Sequence, residues 1–273
     1  MQEPGFVFPC CRLVRQPLFQ IEELPSQITV IGILLELDAV LNAHLLQLLH
    51  KGIPLVHALC ASENGCWRTL AEYQGPADCV IDFSHHSAAG TLVRYCLERK
   101  LPLLIATTGQ TEQERRQIEA ASAAIPVFFS SNYSLGIAVL ADIARRAAAM
   151  FPDADIEIVE MHHNQKLDVP SGTALTLANS IASVRPDADF VIGRHENGKR
   201  EKRQIGIHSL RLGNLPGTHE VLIATGSEVL TLRHEAMDRT IFADGAMRAV
   251  RFLIGKPAGL YTMQDLIGRE DPQ

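Results

Sequence analysis

Apolar residues in the first half of the chain come in short solid runs, separated by stretches in which they recur every three or four positions. The runs Ile28 to Leu35, Leu55 to Leu59, "CVIDFS" (79–84), "LPLLIATTG" (101–109) and "IPVFFSSN" (125–132) predict buried strands. The helical spacing predicts helices over Val40 to Leu49, Ala88 to Arg99 and Glu112 to Ala123. Strands alternating with helices argue for a doubly wound parallel sheet. In such a sheet ligands lie at the carboxyl ends of the strands, where Ser84, Thr107-Thr108-Gly109 and Ser131-Asn132 fall.

After a helix predicted over Leu135 to Met150, the rhythm changes. "DIEIVEMHH" (155–163) alternates as a half-buried strand does, and "IGIHSLRL" (205–212), "HEVLIAT" (219–225) and "EVLTLRHEA" (228–236) follow with little helix between them. Strands in succession imply an α+β domain with a mixed or antiparallel sheet. "GAMRAVRFLIG" (245–255) then reads as a helix closed by glycine. Residues 1–27, with prolines at 4, 9, 17 and 25, show no period and read as an irregular extension.

Composition narrows the class. Hydrophobic residues make up 47% and charged residues 21% of the 273, the balance of a globular protein. The net charge of −6 argues against nucleic acid, which needs a clustered basic surface. The one basic run, Lys199 to Arg203, is broken by Glu201 and reads as a solvated loop. No apolar run reaches the roughly 20 residues that span a bilayer, so no membrane role is expected. The six cysteines (10, 11, 60, 66, 79 and 96) form no CxxC pair and no secretory leader is visible, which implies reduced thiols in a cytoplasm.

The chemistry concentrates in "EMHHNQKLDVPSGTA" (160–174). A strand running through 163 puts His162 on the face of Ile156, Ile158 and Glu160, and His163 on the other. The two therefore do different jobs, and no metal shared between them is expected. Asp168 or Ser171 can cap the helix that follows, and Pro170 suits its first turn. The bare N–H groups of Gly172 and Thr173 make an anion cradle, and Lys166 with a histidine adds charge and a donatable proton. The ligand implied is a small carboxylate or phosphate next to an atom that must be protonated. Arg211 and Arg239 are further candidates for clamping a carboxylate.

"EIVEMHHNQKLDVPSGTA" closely resembles the signature of the 4-hydroxy-tetrahydrodipicolinate reductase family. "DCVIDFSHHSA", "ATTGQTEQE", "FSSNYSLGIAVL", "KREKRQIGIHSLRLGNLPGTHEV" and "FADGAMRAVRFLIGKPAGLYTMQDLI" are similar in the same order, from about residue 78 to about 267. The resemblance implies a Rossmann-like dinucleotide-binding domain over 28–133, completed by 243–273, and an α+β substrate domain over 134–242 with a mixed sheet. It implies NADPH or NADH as cofactor, a small dicarboxylate substrate, a place in diaminopimelate and lysine biosynthesis, and a homotetramer. By resemblance His162 is the general acid/base and Lys166 the proton donor. His163, Gly172 and Thr173 fall by the same resemblance to the substrate, and Gly32, Ala106, Thr107, Thr108, Ser130, Ser131, Asn132 and Tyr133 to the cofactor; Ser171 at the helix start and Arg239 are read from the residues as further substrate contacts.

One stretch departs from that pattern. These reductases resemble one another in a G-x-x-G-x-M-G loop after the first strand, whose glycines admit the pyrophosphate. Here Gly32 matches the first glycine, but Leu35 and Asp38 stand at the next two, with Glu36 between. Nor does the end of the second strand, at Cys60 and Ala61, offer an acidic partner for a ribose. The intact 160–174 stretch supports a reductase. The 32–38 stretch supports a non-catalytic relative that binds a dicarboxylate or acts as a partner subunit.

Overall fold

The computed structural model describes residues 30–34, 55–59, 70 and 73–268. The N-terminal extension, the helix expected at Val40 to Leu49 and the 35–38 stretch lie outside the described residues.

The runs read as buried strands assemble into one parallel sheet. It comprises β1 (Val30–Leu34), β2 (Leu55–Leu59), β3 (Cys79–Phe83), β4 (Leu103–Ile105), β5 (Pro126–Phe129) and, from the far end of the chain, β11 (Gly259–Tyr261). Their order across the sheet is β11-β5-β4-β3-β1-β2. Every pairing is parallel. Both faces are covered at β3, β4 and β5, which is why these three strands are solidly apolar rather than alternating. Val80, Leu103, Ile105 and Val127 face α1 (Ala89–Arg99) and α2 (Glu112–Ala121). Cys79, Ile81, Leu104 and Phe128 face α5 (Thr240–Leu253), whose Ala243, Ala246, Met247, Ala249, Val250 and Leu253 fill the other side. Cys79 and Cys96 are both buried free thiols.

The second sheet has the order β10-β9-β6-β8-β7 and is mixed. β6 (Asp155–His162) runs parallel to β8 (Gln204–Arg211) on one side and antiparallel to β9 (Thr218–Ala224) on the other. β7 (Asp189–Ile192) and β10 (Val229–Glu235) form the edges. Along β6 the residues Ile156, Ile158, Glu160 and His162 are all buried, as the alternation predicts. Ile156, Ile158, Ile205, Ile207, Val221 and Ile223 pack with α3 (Leu135–Met150) and α4 (Gly172–Ala182) in a third cluster. Among the described residues no helix is long and apolar enough to cross a membrane.

Three differences from the sequence reading have local causes. α4 is capped by Ser171, whose hydroxyl accepts from the Ala174 N–H at 3.1 Å, so Pro170 lies outside the first turn rather than in it. β7 and β11 are four and three residues long, and α6 (Met263–Ile267) five, and none of them lies in a solid apolar run like those of β3 to β5. α5 begins five residues before Gly245, not at it. Gly245 is a packing residue: a Cβ there would lie 1.6 Å from the Tyr133 carbonyl oxygen, so only glycine lets the helix approach the turn after β5. Gly255, at φ +77°, does lie just past the helix end, as glycine favours.

Gly245→Ala should therefore cost about 1–3 kcal/mol of stability, through overpacking against backbone that has nowhere to go. Urea unfolding would show it as a lower midpoint with an unchanged slope; an unchanged midpoint would mean the helix can slide away from Tyr133.

Candidate active site

Glu160 is the anchor. It is fully buried on β6, and a buried carboxylate is tolerated only when its oxygens are bonded. Here Arg211 of β8 donates from both terminal nitrogens, at 3.0 and 2.8 Å, one to each oxygen. The Ser171 N–H adds a bond at 3.2 Å, and His162 Nδ1 donates another. Burial opposes the charge, but the hydrogen bonds from His162 and Arg211 outweigh it and hold the carboxyl well below the usual carboxylate range. An ionised Glu160 fixes the proton of His162 on Nδ1. His162 Nε2 is then the ring nitrogen turned away from Glu160. Nε2 lies against Gly217, where a Cβ would come within 2.9 Å of it.

The start of α4 meets this group. Ser171 is buried as the cap, Gly172 is exposed with nothing within 4 Å of where a Cβ would lie, and Thr173 is half-buried. Thr173 Oγ1 accepts from Asn132 Nδ2 at 2.8 Å, which ties the loop after β5 to the helix start. Lys166 Nζ lies 2.7 Å from the Asp168 carboxylate, and its side chain is 21% exposed. His163 is half-buried, and its backbone N–H donates to Leu215 O at 2.9 Å, bracing the turn after the strand.

The carboxyl ends of the parallel strands gather the residues expected to meet a cofactor. Thr107 is turned inward, its hydroxyl 3.3 Å from the buried Asp82 and 2.8 Å from Gln110 Nε2, so its side chain is structural. Burial raises the Asp82 carboxyl despite hydrogen bonds from Ser84 and Thr107. Ala106 is half-buried, Thr108 is exposed, and Gly109 turns the chain at φ +87°. Ser130 donates to the Asn132 carbonyl at 2.8 Å and Ser131 is exposed. Tyr133 is buried with its hydroxyl donating to Ile105 O at 2.8 Å; any cofactor contact from it falls to its backbone. Gly32 sits in the middle of β1, paired with Ala58 and Ile81, not at a strand-to-helix turn.

The two arginines part company. Arg211, read as a possible substrate clamp, is spent on Glu160 and on the Asp168 carbonyl at 2.7 Å. Arg239 is exposed at the start of α5. The basic run is ion-paired: Arg200 with Asp155 and Glu157, Lys202 with Asp153, Arg203 with Glu201. Glu160, His162 and His219 bring three metal-type donor atoms within 4.8 Å of one another. The Arg211 guanidinium on both oxygens of Glu160 makes that group a poor home for a dication.

Sequence reasoning passed over Glu160, though it stands in the quoted motif, and His219. The signal for Glu160 was its place on the apolar face of β6. Nothing local marks His219, which the β9 register sets directly beside Glu160. It is buried, with Nε2 3.2 Å from Ser171 Oγ and its ring edge-on to His162 at 5.1 Å. Burial, then the neighbouring His162, pushes its imidazole down to about 3.

The fold and this site together define a two-domain oxidoreductase built on a doubly wound dinucleotide-binding sheet. Family models described as dihydrodipicolinate reductase, N-terminus, and dihydrodipicolinate reductase, C-terminus, match residues 41–133 and 136–267. The chain belongs to the dihydrodipicolinate reductase family. It is 48% identical over 200 residues to the 4-hydroxy-tetrahydrodipicolinate reductase of Caldanaerobacter subterraneus subsp. tengcongensis, covering 72% of this chain and 80% of that one. It is 43% identical over 203 residues to that of Clostridium novyi (strain NT), covering 74% and 81%. Among solved structures, the dipicolinate-bound dihydrodipicolinate reductase from Paenisporosarcina sp. TG-14 shares the fold, with a TM-score of 0.68, 24% identity, and coverage of 89% of this chain and all of that one. The N-terminal match begins at 41, just past the 32–38 stretch that lacks the family's glycines.

Two outcomes follow from the buried charges. Arg211→Met should destabilise by about 3–5 kcal/mol, because it strands a buried carboxylate, and thermal unfolding would show it. The pH dependence follows from His219. Its native imidazole stays neutral where an unfolded one, near 6.5, takes up a proton. Stability is therefore whole above pH 6.5 and is lost as pH falls toward 3. Glu160 adds its loss only below its ordinary 4.5, so the loss between 6.5 and 4.5 comes from His219 and the half-buried His234, also lowered by burial, while the raised Asp82 carboxyl opposes it. The urea midpoint should drop across that window, with a slope near about 1.4 kcal/mol per pH unit for each proton, and His219→Gln should flatten it. A wild-type midpoint level across that window would refute the assignment.

Proposed function

We propose that this protein reduces 4-hydroxy-tetrahydrodipicolinate to tetrahydrodipicolinate with NADPH or NADH, a step of diaminopimelate and lysine biosynthesis. The observation that carries the reading is the Glu160-backed His162 standing beside the helix start at Ser171, with Lys166 close in sequence, in a chain of this family. A site that only held a dicarboxylate would gain nothing from a buried carboxylate behind a titratable histidine. The non-catalytic reading has nothing comparable in its favour.

In this reading the N–H groups of Gly172 and Thr173, with the Ser171 hydroxyl, hold one carboxylate of a small dicarboxylate at the positive end of α4. Lys166 and His163 add charge around it, and Arg239 stands as a further clamp. The dipicolinate bound to the Paenisporosarcina relative is a ligand of that kind. Lys166 or His162 supplies the proton that accompanies hydride addition, and Glu160 stabilises the charged form of His162 without exchanging its own proton.

The strand ends fit a dinucleotide. The turn at Thr108-Gly109 is exposed and the 130–132 loop offers backbone and hydroxyls there, so Ala106, Thr107, Thr108, Ser130, Ser131, Asn132 and Tyr133 would hold it. The bound nicotinamide supplies the hydride. The domains we assign are 28–133 with 243–273 for the cofactor and 134–242 for the substrate. The same reading carries a homotetrameric assembly and a cytoplasmic setting.

The test is nucleotide oxidation in the presence of the substrate, alongside calorimetric titration with NADH, NADPH and pyridine-2,6-dicarboxylate. His162→Ala and Lys166→Met should each lower kcat about 100-fold or more while still binding nucleotide. A chain that binds the dicarboxylate but neither nucleotide would overturn the reductase reading.

A further inference from the structure

We propose that His219 is a positioning residue that aims the Ser171 hydroxyl proton at the ligand carboxylate; the inference rests on the reading of the site given above. Ser171 and His219 lie 48 residues apart in sequence and meet at 3.2 Å between Oγ and Nε2. The other ring nitrogen, Nδ1, is buried and has no hydrogen-bond partner among the described residues. The imidazole is 4% exposed, in a pocket that already holds the His162 ring, and it is kept neutral there.

A neutral imidazole carries one N–H, and its place can be argued. On Nδ1 the proton would be a buried donor with nothing to meet, the costlier of the two kinds of orphan. On Nε2 it has a partner, so Nε2 donates to Ser171 Oγ. That oxygen also accepts the Ala174 N–H at 3.1 Å, as the cap of α4. A serine hydroxyl has two lone pairs and one proton. With both lone pairs engaged, the hydroxyl proton is the one group of Ser171 left for a further acceptor, and Gly172, next along the helix start, is exposed. Without the His219 N–H, the hydroxyl proton would be free to turn inward onto the imidazole, and the cradle would present an oxygen lone pair to an anion. His219 thus sets a donor where the ligand needs one, without touching it.

The experiment has two independent arms. Long-range correlation of 15N-histidine-labelled, ligand-free protein, with the His219 signal assigned by its loss in His219→Gln, reads the tautomer whatever the site binds. A neutral ring protonated at Nε2 is expected; a ring protonated at Nδ1, or at both nitrogens near neutral pH, overturns the inference. Titration with pyridine-2,6-dicarboxylate reads the consequence. His219→Met should weaken binding about fivefold to tenfold, the worth of one hydrogen bond, with KM rising more than kcat falls. His219→Gln, which keeps an N–H near the Nε2 position, should recover most of that loss. In a Ser171→Ala background, His219→Met should add nothing. Equal losses in the Met and Gln variants, or additive losses with Ser171→Ala, would show a packing role instead and overturn the inference. Failure of the wild type to bind the dicarboxylate would sink the reading of the site, while the tautomer would still decide how His219 and Ser171 share their proton.

Discussion

One buried carboxylate organises the substrate half of this molecule. Glu160 lies in a strand interior, where an ion without partners would be expelled or neutralised. Satisfying it takes donors from three separate places: a guanidinium from β8, an imidazole two residues along β6, and the first backbone N–H of the α4 cap. These bonds fix more than a charge. They set the register of β6 against β8 at their carboxyl ends, hold the α4 start to the sheet and choose the tautomer of His162. The chemistry inherits its geometry from an electrostatic requirement of the fold.

The cofactor half obeys a different constraint, close packing on both faces of a parallel sheet. Its central strands β3, β4 and β5 are buried on both faces, so their polar groups collect where the strands end. The return of α5 closes one face, and the missing side chain of Gly245 brings that helix onto the turn after β5. Asn132, in the same turn, reaches across to Thr173. The loop after β5 and the start of α4 are thereby joined by an amide-to-hydroxyl bond, with the histidine-bearing strand alongside.

The divergent 32–38 stretch sits oddly beside this. Gly32 is inside β1 rather than at its end, and family likeness resumes only at 41. Whatever approaches the dinucleotide there is not the usual run of glycines. The remaining strand ends keep their exposed turn and hydroxyls, so the departure is local to one of several contact regions.

Much of the fold was legible because burial writes periodicity into sequence. The solid runs of β3 to β5, the alternation of β6 and the span of α3 could all be read directly, and the 160–174 motif announced a helix start with proton carriers ahead of it. β7, β11 and α6 are short and lie outside any solid apolar run of the kind that marks β3 to β5, so they went unread. Gly245 looked like a helix start because glycine usually breaks helices, and only a neighbouring carbonyl explains it. Arg211 looked like a ligand clamp because no sequence rule tells an arginine that meets substrate from one that meets a buried glutamate. By itself the sequence determined which residues could do chemistry and which faces must be buried, since both depend on side-chain identity and local spacing. Which of those residues meet was decided by strand register and helix packing: Glu160 with Arg211, Ser171 with His219, Asn132 with Thr173. Each pair lies more than 40 positions apart, and contacts at that separation exist only once the sheets have formed.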